Sequence, residues 1–135
     1  MRVVLGIGCD RGAAAATIEA AVAAALAEAG VAASAVAAVA TLDLKRDEPG
    51  LQALVGRHGW PLYDYPAAEL AAIAVPSPSE TVRRHTGTPA VAEAAALRCA
   101  GAGIPALLVE KRRLRGEDGR SATASVARLD GGGGA

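Results

Sequence analysis

The sequence predicts an α/β domain: a single, mixed, mostly parallel sheet with helices packed on its faces. Three observations lead there. Short apolar runs that read as buried strands alternate with Ala-rich helical stretches, the pattern of βαβ units. The final strand-like run follows its neighbour across a tight polar turn, which adds one antiparallel strand. The chain has 135 residues, enough for one domain with a single hydrophobic core.

The first strand is expected over 2–7, where Val3-Val4-Leu5 is continuously apolar. A helix follows over 14–29, with Thr17, Ile18, Val22 and Leu26 among strong helix formers and Gly30 as its stop. Residues 36–41 read as a second buried strand. A charged loop over 42–48 then leads to a helix over 49–58, with Pro49 acceptable in its first turn. Trp60 to Tyr65 suggests a third strand with its proline at the start or at a sheet edge. Pro66 opens a short helix through Ile73. Ser77-Pro78-Ser79-Glu80 fits a capping box, with Ser77 as N-cap and Glu80 reaching back, for a helix that stops near Gly87. Thr88-Pro89 repeats the device for a helix over 89–101. Residues 104–109 are the fourth strand, Glu117-Asp118-Gly119 a turn, and Ser121 to Leu129 the fifth strand of a hairpin. The domain spans 1–130, and the Gly-rich segment 131–135 is expected to be a flexible tail. No internal repeat is visible.

Composition narrows the function. The chain is 52% hydrophobic and 21% charged, which argues against disorder. Much of the apolar content is alanine, so the core must be thin, with helices close to the sheet. Trp60, Tyr63 and Tyr65 are the only aromatics and there is no Phe, which leaves no base-stacking platform. Net charge is zero, without the basic footprint of a nucleic-acid binder. Cys9 and Cys99 lie far apart, and with His58 and His85 they show no metal-ligand spacing, so neither a metal nor a resident cofactor is expected. The stretch 13–29 carries Glu19 and Glu28 and is weakly apolar, which argues against a membrane span. Strand-like residues begin directly after Met1-Arg2, so a cytoplasmic protein without a leader is expected.

The most informative segment is Gly6-Ile7-Gly8-Cys9-Asp10-Arg11-Gly12. Glycines at a strand-to-helix turn permit positive φ and close approach of a ligand, and amides at a helix N-terminus favour an anion. The spacing departs from the dinucleotide fingerprint, and a plain structural turn explains it equally well. Two more segments add detail: Thr41-Leu42-Asp43-Leu44-Lys45-Arg46-Asp47-Glu48, and Pro76-Ser77-Pro78-Ser79-Glu80-Thr81-Val82 running into Thr86-Gly87. In parallel sheets ligands sit beyond the carboxyl ends of the strands, where both the Gly6–Gly12 turn and the Asp43–Glu48 loop are expected.

Together these segments resemble the cobalamin-biosynthesis family that comprises CobE and the C-terminal domain of CbiG. The resemblance runs from Gly6 to Leu129. It lies in Gly-Ile-Gly-Cys-x-x-Gly over 6–12, then in Asp43-Leu44-Lys45 with Asp47-Glu48-Pro49-Gly50-Leu51. It continues in Pro76-Ser77-Pro78-Ser79-Glu80, Thr86-Gly87, Val91-x-Glu93-x-Ala95-Ala96-Leu97 and Leu107-Leu108-Val109-x-Lys111. The sequence departs at Asp10, where the family pattern is basic, leaving Arg11 as the anion contact there. Full-length CbiG, which carries further domains ahead of the first motif, is linked to opening the ring-A lactone of cobalt-precorrin-5A with loss of a two-carbon fragment. For this chain the resemblance implies corrin-ring synthesis. The ligand would be a corrinoid or precorrin intermediate, either hydrolysed or carried, with other corrin-pathway enzymes as candidate partners. The ligand-binding set it implies is Gly6, Gly8, Cys9, Arg11, Gly12, Ser77, Ser79, Glu80, Thr86, Gly87 and Glu93.

Corrin precursors are apolar macrocycles edged with carboxylates, so a binder needs an apolar surface with basic side chains and amides at its rim. Arg11, Lys45, Arg46, Arg83, Arg84 and Lys111 are the candidates. Arg46, Arg84 and the run Lys111-Arg112-Arg113 read first as solvated surface charges, whereas Lys45 directly follows a buried strand. Asp43 and Lys45 are the catalytic pair, Asp43 as general base on water and Lys45 holding its charge. In a nucleotide-binding protein Asp43 would instead take a ribose hydroxyl, and in the plainest case it is a loop carboxylate paired to Lys45. Ser77 and Ser79 suit a carboxylate at a helix N-terminus as well as capping. Cys9 reads as a small packing residue, because no His is near in sequence to act as its base. Glu93 either helps its helix dipole or faces the cleft. The alternative function is a small nucleotide- or phosphate-binding α/β enzyme built on the Gly6–Gly12 turn; a structural module working through protein contacts is a third.

Overall fold

The computed structural model describes residues 1–76 and 91–129. In chain order the elements are β1 (Val3–Cys9), α1 (Ala15–Ala29), β2 (Val36–Leu42), α2 (Pro49–His58) and β3 (Leu62–Tyr65). They continue as α3 (Ala67–Ala71), α4 (Val91–Ala100), β4 (Leu107–Arg115) and β5 (Ser121–Arg128). The five strands form one sheet in the order β3-β2-β1-β5-β4. β1 pairs parallel with β2, and β2 with β3. β5 runs antiparallel to both β1 and β4, so four strands share one direction and the last opposes them. The expected fold class is the one observed, and the antiparallel strand sits between β1 and β4.

Side-chain alternation on β1 sends Leu5 and Ile7 into a core with Ile18, Val22, Leu51 and Leu54 of α1 and α2. Val4 turns the other way, to a second core with Leu42, Leu70, Ala94 and Ala95, on the side of α3 and α4. α1 and α2 therefore lie on one face, and α3 and α4 on the other. Right-handed crossovers that first move along the sheet and then return across it require this arrangement. The thin core foreseen from the alanine content is seen at α4, where Ala92, Ala94, Ala95 and Ala96 are all buried.

Gly30 ends α1 with φ of 72°, and the Val31 N–H reaches back to the Leu26 carbonyl at 3.1 Å, the bonding of a Schellman cap. Pro49 begins α2 and Gly59 ends it. Four boundaries differ from expectation. Gly6 and Gly8 lie inside β1, which runs on to Cys9, so the turn proper is shorter. The loop after β2 contains a 3-10 turn over Asp43–Lys45. β3 starts at Leu62 because the Trp60 ring stacks on His58, centroids 4.1 Å apart. The strand expected over 104–109 is a 3-10 turn at Ile104–Ala106, suited to Pro105, followed by β4, which continues through the charged run to Arg115. An edge strand tolerates such charge and is protected by it. The expected helix starts at Ser77 and Thr88-Pro89, and the tail over 131–135, lie outside the described residues. Among the described residues no helix is long and apolar enough to cross a membrane.

Candidate functional site

Because β1 and β2 are parallel neighbours, Gly8 at the end of one and the Asp43–Lys45 turn after the other fall on the same edge of the sheet. The β1–β2 ladder closes at the pair Gly6 and Ala40. Beyond it the buried Thr41 hydroxyl donates to the Ile7 carbonyl at 2.8 Å, satisfying a carbonyl that the diverging strands leave unpaired. This edge, at the carboxyl ends of the strands, is the position where parallel sheets bind ligands.

The glycine segment divides into separate roles. A Cβ on Gly6 would sit 1.9 Å from the Ala92 carbonyl oxygen, so this glycine lets α4 pack directly on β1. A Cβ on Gly8 would meet Val91 at 3.8 Å and the Ala92 backbone nitrogen at 3.9 Å, both ordinary contacts. Neither has positive φ; within the segment only Gly12 does, at 80°. The left-handed backbone that these glycines permit is therefore used only at the last of them, because the first two are strand residues. The Gly12 N–H is already engaged: it donates at 2.8 Å to the Glu48 carboxylate, which is only 4% exposed. The Arg11 guanidinium, 72% exposed, stands 3.7 Å from the same carboxylate. In this arrangement the chain supplies its own anion to the turn. Asp10, the departure from the family pattern, accepts the Ser121 N–H at 2.8 Å, while its own N–H donates to the Ser121 carbonyl. It pins the end of β1 to the start of β5.

Asp43 and Lys45 occupy the first and last positions of their 3-10 turn. Asp43 is exposed and Lys45 half-buried, with no ion pair between them among the described residues. Leu44, between them, is 64% exposed. The thiol of Cys9 lies within the field of Lys45: burial pushes it up to about 11, Lys45 draws it down, and Glu48 and Asp10 raise it. It is a protonated packing group at neutral pH. Arg46 is held by Asp64 at 2.9 Å, in keeping with its reading as a surface charge.

Glu93 is the outlier. It lies in the first turn of α4 with its side chain only 1% exposed, and neither carboxylate oxygen has a hydrogen bond among the described residues. The Lys111 ammonium is 3.8 Å away. Burial holds the Glu93 carboxyl above its ordinary pKa, Lys111 opposing and Glu110 adding to the shift. Helix dipole alone does not account for a buried acid without hydrogen-bond partners.

Ser77, Ser79, Glu80, Thr86 and Gly87 lie outside the described residues. The structure brings Gly8, Cys9 and the Asp43–Lys45 turn to one edge, joins Gly12 and Arg11 to Glu48, and places Glu93 beneath Lys111. Glu48 precedes Pro49 as the N-cap of α2, yet its side chain bonds 36 residues back, which nothing in its local sequence signals. Among the described residues no group of His, Cys, Asp and Glu is arranged to hold a metal ion.

Comparison with known proteins agrees with this fold. The family described as the cobalamin synthesis G C-terminus matches residues 3–127. The chain is 38% identical over 107 residues to the cobalt-precorrin-5A hydrolase of Priestia megaterium, covering 79% of this chain but 29% of that protein. It therefore spans less than a third of the hydrolase's length. It is 39% identical over 111 residues to Protein CobE of a Sinorhizobium species, covering 81% of this chain and 71% of that one. Among solved structures, CobE from the cobalamin (vitamin B12) biosynthetic pathway superposes with a TM-score of 0.77 at 36% identity, over 95% of this chain and 90% of that one. The cobalamin biosynthesis protein chiG of Agrobacterium tumefaciens gives 0.66 at 37% identity, over 95% of this chain and 98% of that one. Because that family matches nearly the whole of the described domain, residues 3–127, the chain belongs to the CbiG C-terminal family of cobalamin-biosynthesis proteins.

Proposed function

We propose that this protein binds a corrinoid or precorrin intermediate at the carboxyl-end edge of its sheet. The observation that carries the reading is the Asp43-Leu44-Lys45 turn beside Gly8. It offers, within three consecutive residues, an ammonium and a carboxylate that have no ion pair among the described residues, and an exposed apolar side chain between them. A macrocycle with an apolar face and carboxylate arms is complementary to that set. Leu44 meets the ring, and Lys45 meets a carboxylate, an interaction stronger than a neutral hydrogen bond.

Two fates suit the bound intermediate. In the first, Asp43 takes a proton from water as it attacks a lactone carbonyl, the acyl C–O bond breaks, Asp43 passes the proton to the departing alcohol oxygen, and Lys45 stabilises the carboxylate that forms. In the second, the protein carries the intermediate to another enzyme of corrin synthesis. The phosphate-binding alternative fits less well, because the Glu48 carboxylate lies where a phosphate would meet the Gly12 amide, and like charges repel there. Titration with a corrinoid such as hydrogenobyrinic acid tests the reading. A change in the visible spectrum is expected, with affinity falling as salt rises. Tight binding of ATP or NAD with no corrinoid response would overturn it.

A further inference from the structure

The charged run on β4 is divided by the two-residue alternation of a strand. Arg112 faces α1, where its guanidinium is 3.5 Å from Glu28, and Leu114 packs against the core on that side. Lys111 faces α4, beside Glu93. The alternation places Arg113 and Arg115 on the α4 side too. Both are exposed, and neither side chain has a hydrogen bond or ion pair among the described residues.

β5 gives that face a matching character. Ala122, Ala124 and Val126 enter the core beneath α1, so Ser121, Thr123 and Ser125 alternate to the α4 side. Thr123 lies opposite Arg113, and Ser121 opposite Arg115. One strand further in, Gly8 lies opposite Thr123 and adds no side chain. Arg113, Thr123 and Gly8 therefore form a continuous row across three strands, beyond the Ala92 turn of α4 that covers Gly6. Protection of a sheet edge would explain all of these bases alike. It does not explain why the base facing α1 is paired while two facing α4 are not. Nor does it explain why an acid without hydrogen bonds among the described residues is buried beside the third.

We propose that Arg113 and Arg115, with Lys111 and the Thr123 hydroxyl, form a carboxylate-binding surface that grips the peripheral acid arms of an anionic tetrapyrrole. The assignment rests on the corrinoid reading above and names the residues that read its substituents. The two-residue repeat sets successive bases roughly 7 Å apart, so they can engage separate arms of one macrocycle. Each guanidinium offers the fork geometry that suits a carboxylate.

The test compares Arg113→Gln, Arg115→Gln and the double variant with Arg112→Gln, which removes one charge from the opposite face. Hydrogenobyrinic acid and the metal-free polycarboxylate uroporphyrin serve as probes, with melting temperature as the check on folding. Each α4-side substitution is expected to weaken binding about tenfold and to flatten its salt dependence, while Arg112→Gln binds as the parent does. If Arg113 and Arg115 variants bind the corrinoid like the parent, or all three weaken it equally, the surface is refuted and the corrinoid reading survives. If the parent binds uroporphyrin but no corrinoid, the corrinoid reading falls and the same variants decide the surface on uroporphyrin. Binding of neither probe overturns both.

Discussion

Gly6 and Gly8 are two residues apart on one face of β1, yet they meet α4 in different ways. Replacing Gly6 with alanine forces a methyl into the Ala92 carbonyl. A helix packed this closely must move as a whole, so Gly6→Ala should cost about 3 kcal/mol in urea denaturation. Gly8→Ala should change stability by less than about 1 kcal/mol, since its new methyl makes an ordinary contact. Equal effects would show that α4 is not seated directly on β1. Glu93 makes a prediction of opposite sign. Its folded-state pKa is raised, chiefly by burial, so the folded chain holds this proton longer than the unfolded one. Stability is therefore lost as pH rises from the ordinary carboxylate range, about 4.3, through the raised value. Glu93→Gln removes that loss. Its gain over the parent should be absent below about pH 4 and appear as pH rises, read from denaturation midpoints across pH. A gain that does not change with pH would mean that Lys111 keeps the carboxylate charged.

At the scale of elements, the β1–α1 turn and the start of α2 are held together by one hydrogen bond, from the Gly12 N–H to Glu48. Glu48→Ala leaves that amide without its acceptor and should cost about 2 kcal/mol. Glu48→Gln keeps an acceptor oxygen and should recover more than half of the loss, because the Arg11 contact it forfeits is solvent-exposed and weak. Chemical denaturation measures both. If the glutamine variant is as damaged as the alanine one, the charge and not the hydrogen bond holds the turn. The caps of α1 and α2 were legible in the sequence because Gly30, Pro49 and Gly59 act through their own backbone preferences. β4 was misplaced because Pro105 acts locally to favour a turn, while the strand beyond it is held only by pairing with β5.

For the molecule as a whole, the functional proposal predicts a division between Asp43 and Lys45. Asp43→Asn should abolish a lactone-opening step while largely sparing binding. Lys45→Met should weaken corrinoid binding about tenfold with little change in melting temperature. Mass spectrometry of the released fragment and spectral titration separate the two effects. Full lactone opening by Asp43→Asn would remove this carboxylate as the base. Loss of binding in Asp43→Asn would make it a ligand contact instead.

The order of the described strands and helices, the α/β class and the family were all readable from the sequence, because alternating apolar runs, caps and short motifs are local features. The convergence of Gly8 with the Asp43–Lys45 turn followed from parallel topology alone. What only the tertiary structure decided was which groups satisfy one another over long separations. It gave the Gly12 amide to Glu48, clamped Asp10 to Ser121, and buried Glu93 beside Lys111. It also split one basic run between two faces of an edge strand, pairing Arg112 and leaving Arg113 and Arg115 exposed. Such assignments depend on distances between segments far apart in the chain, and no local pattern of residues encodes them.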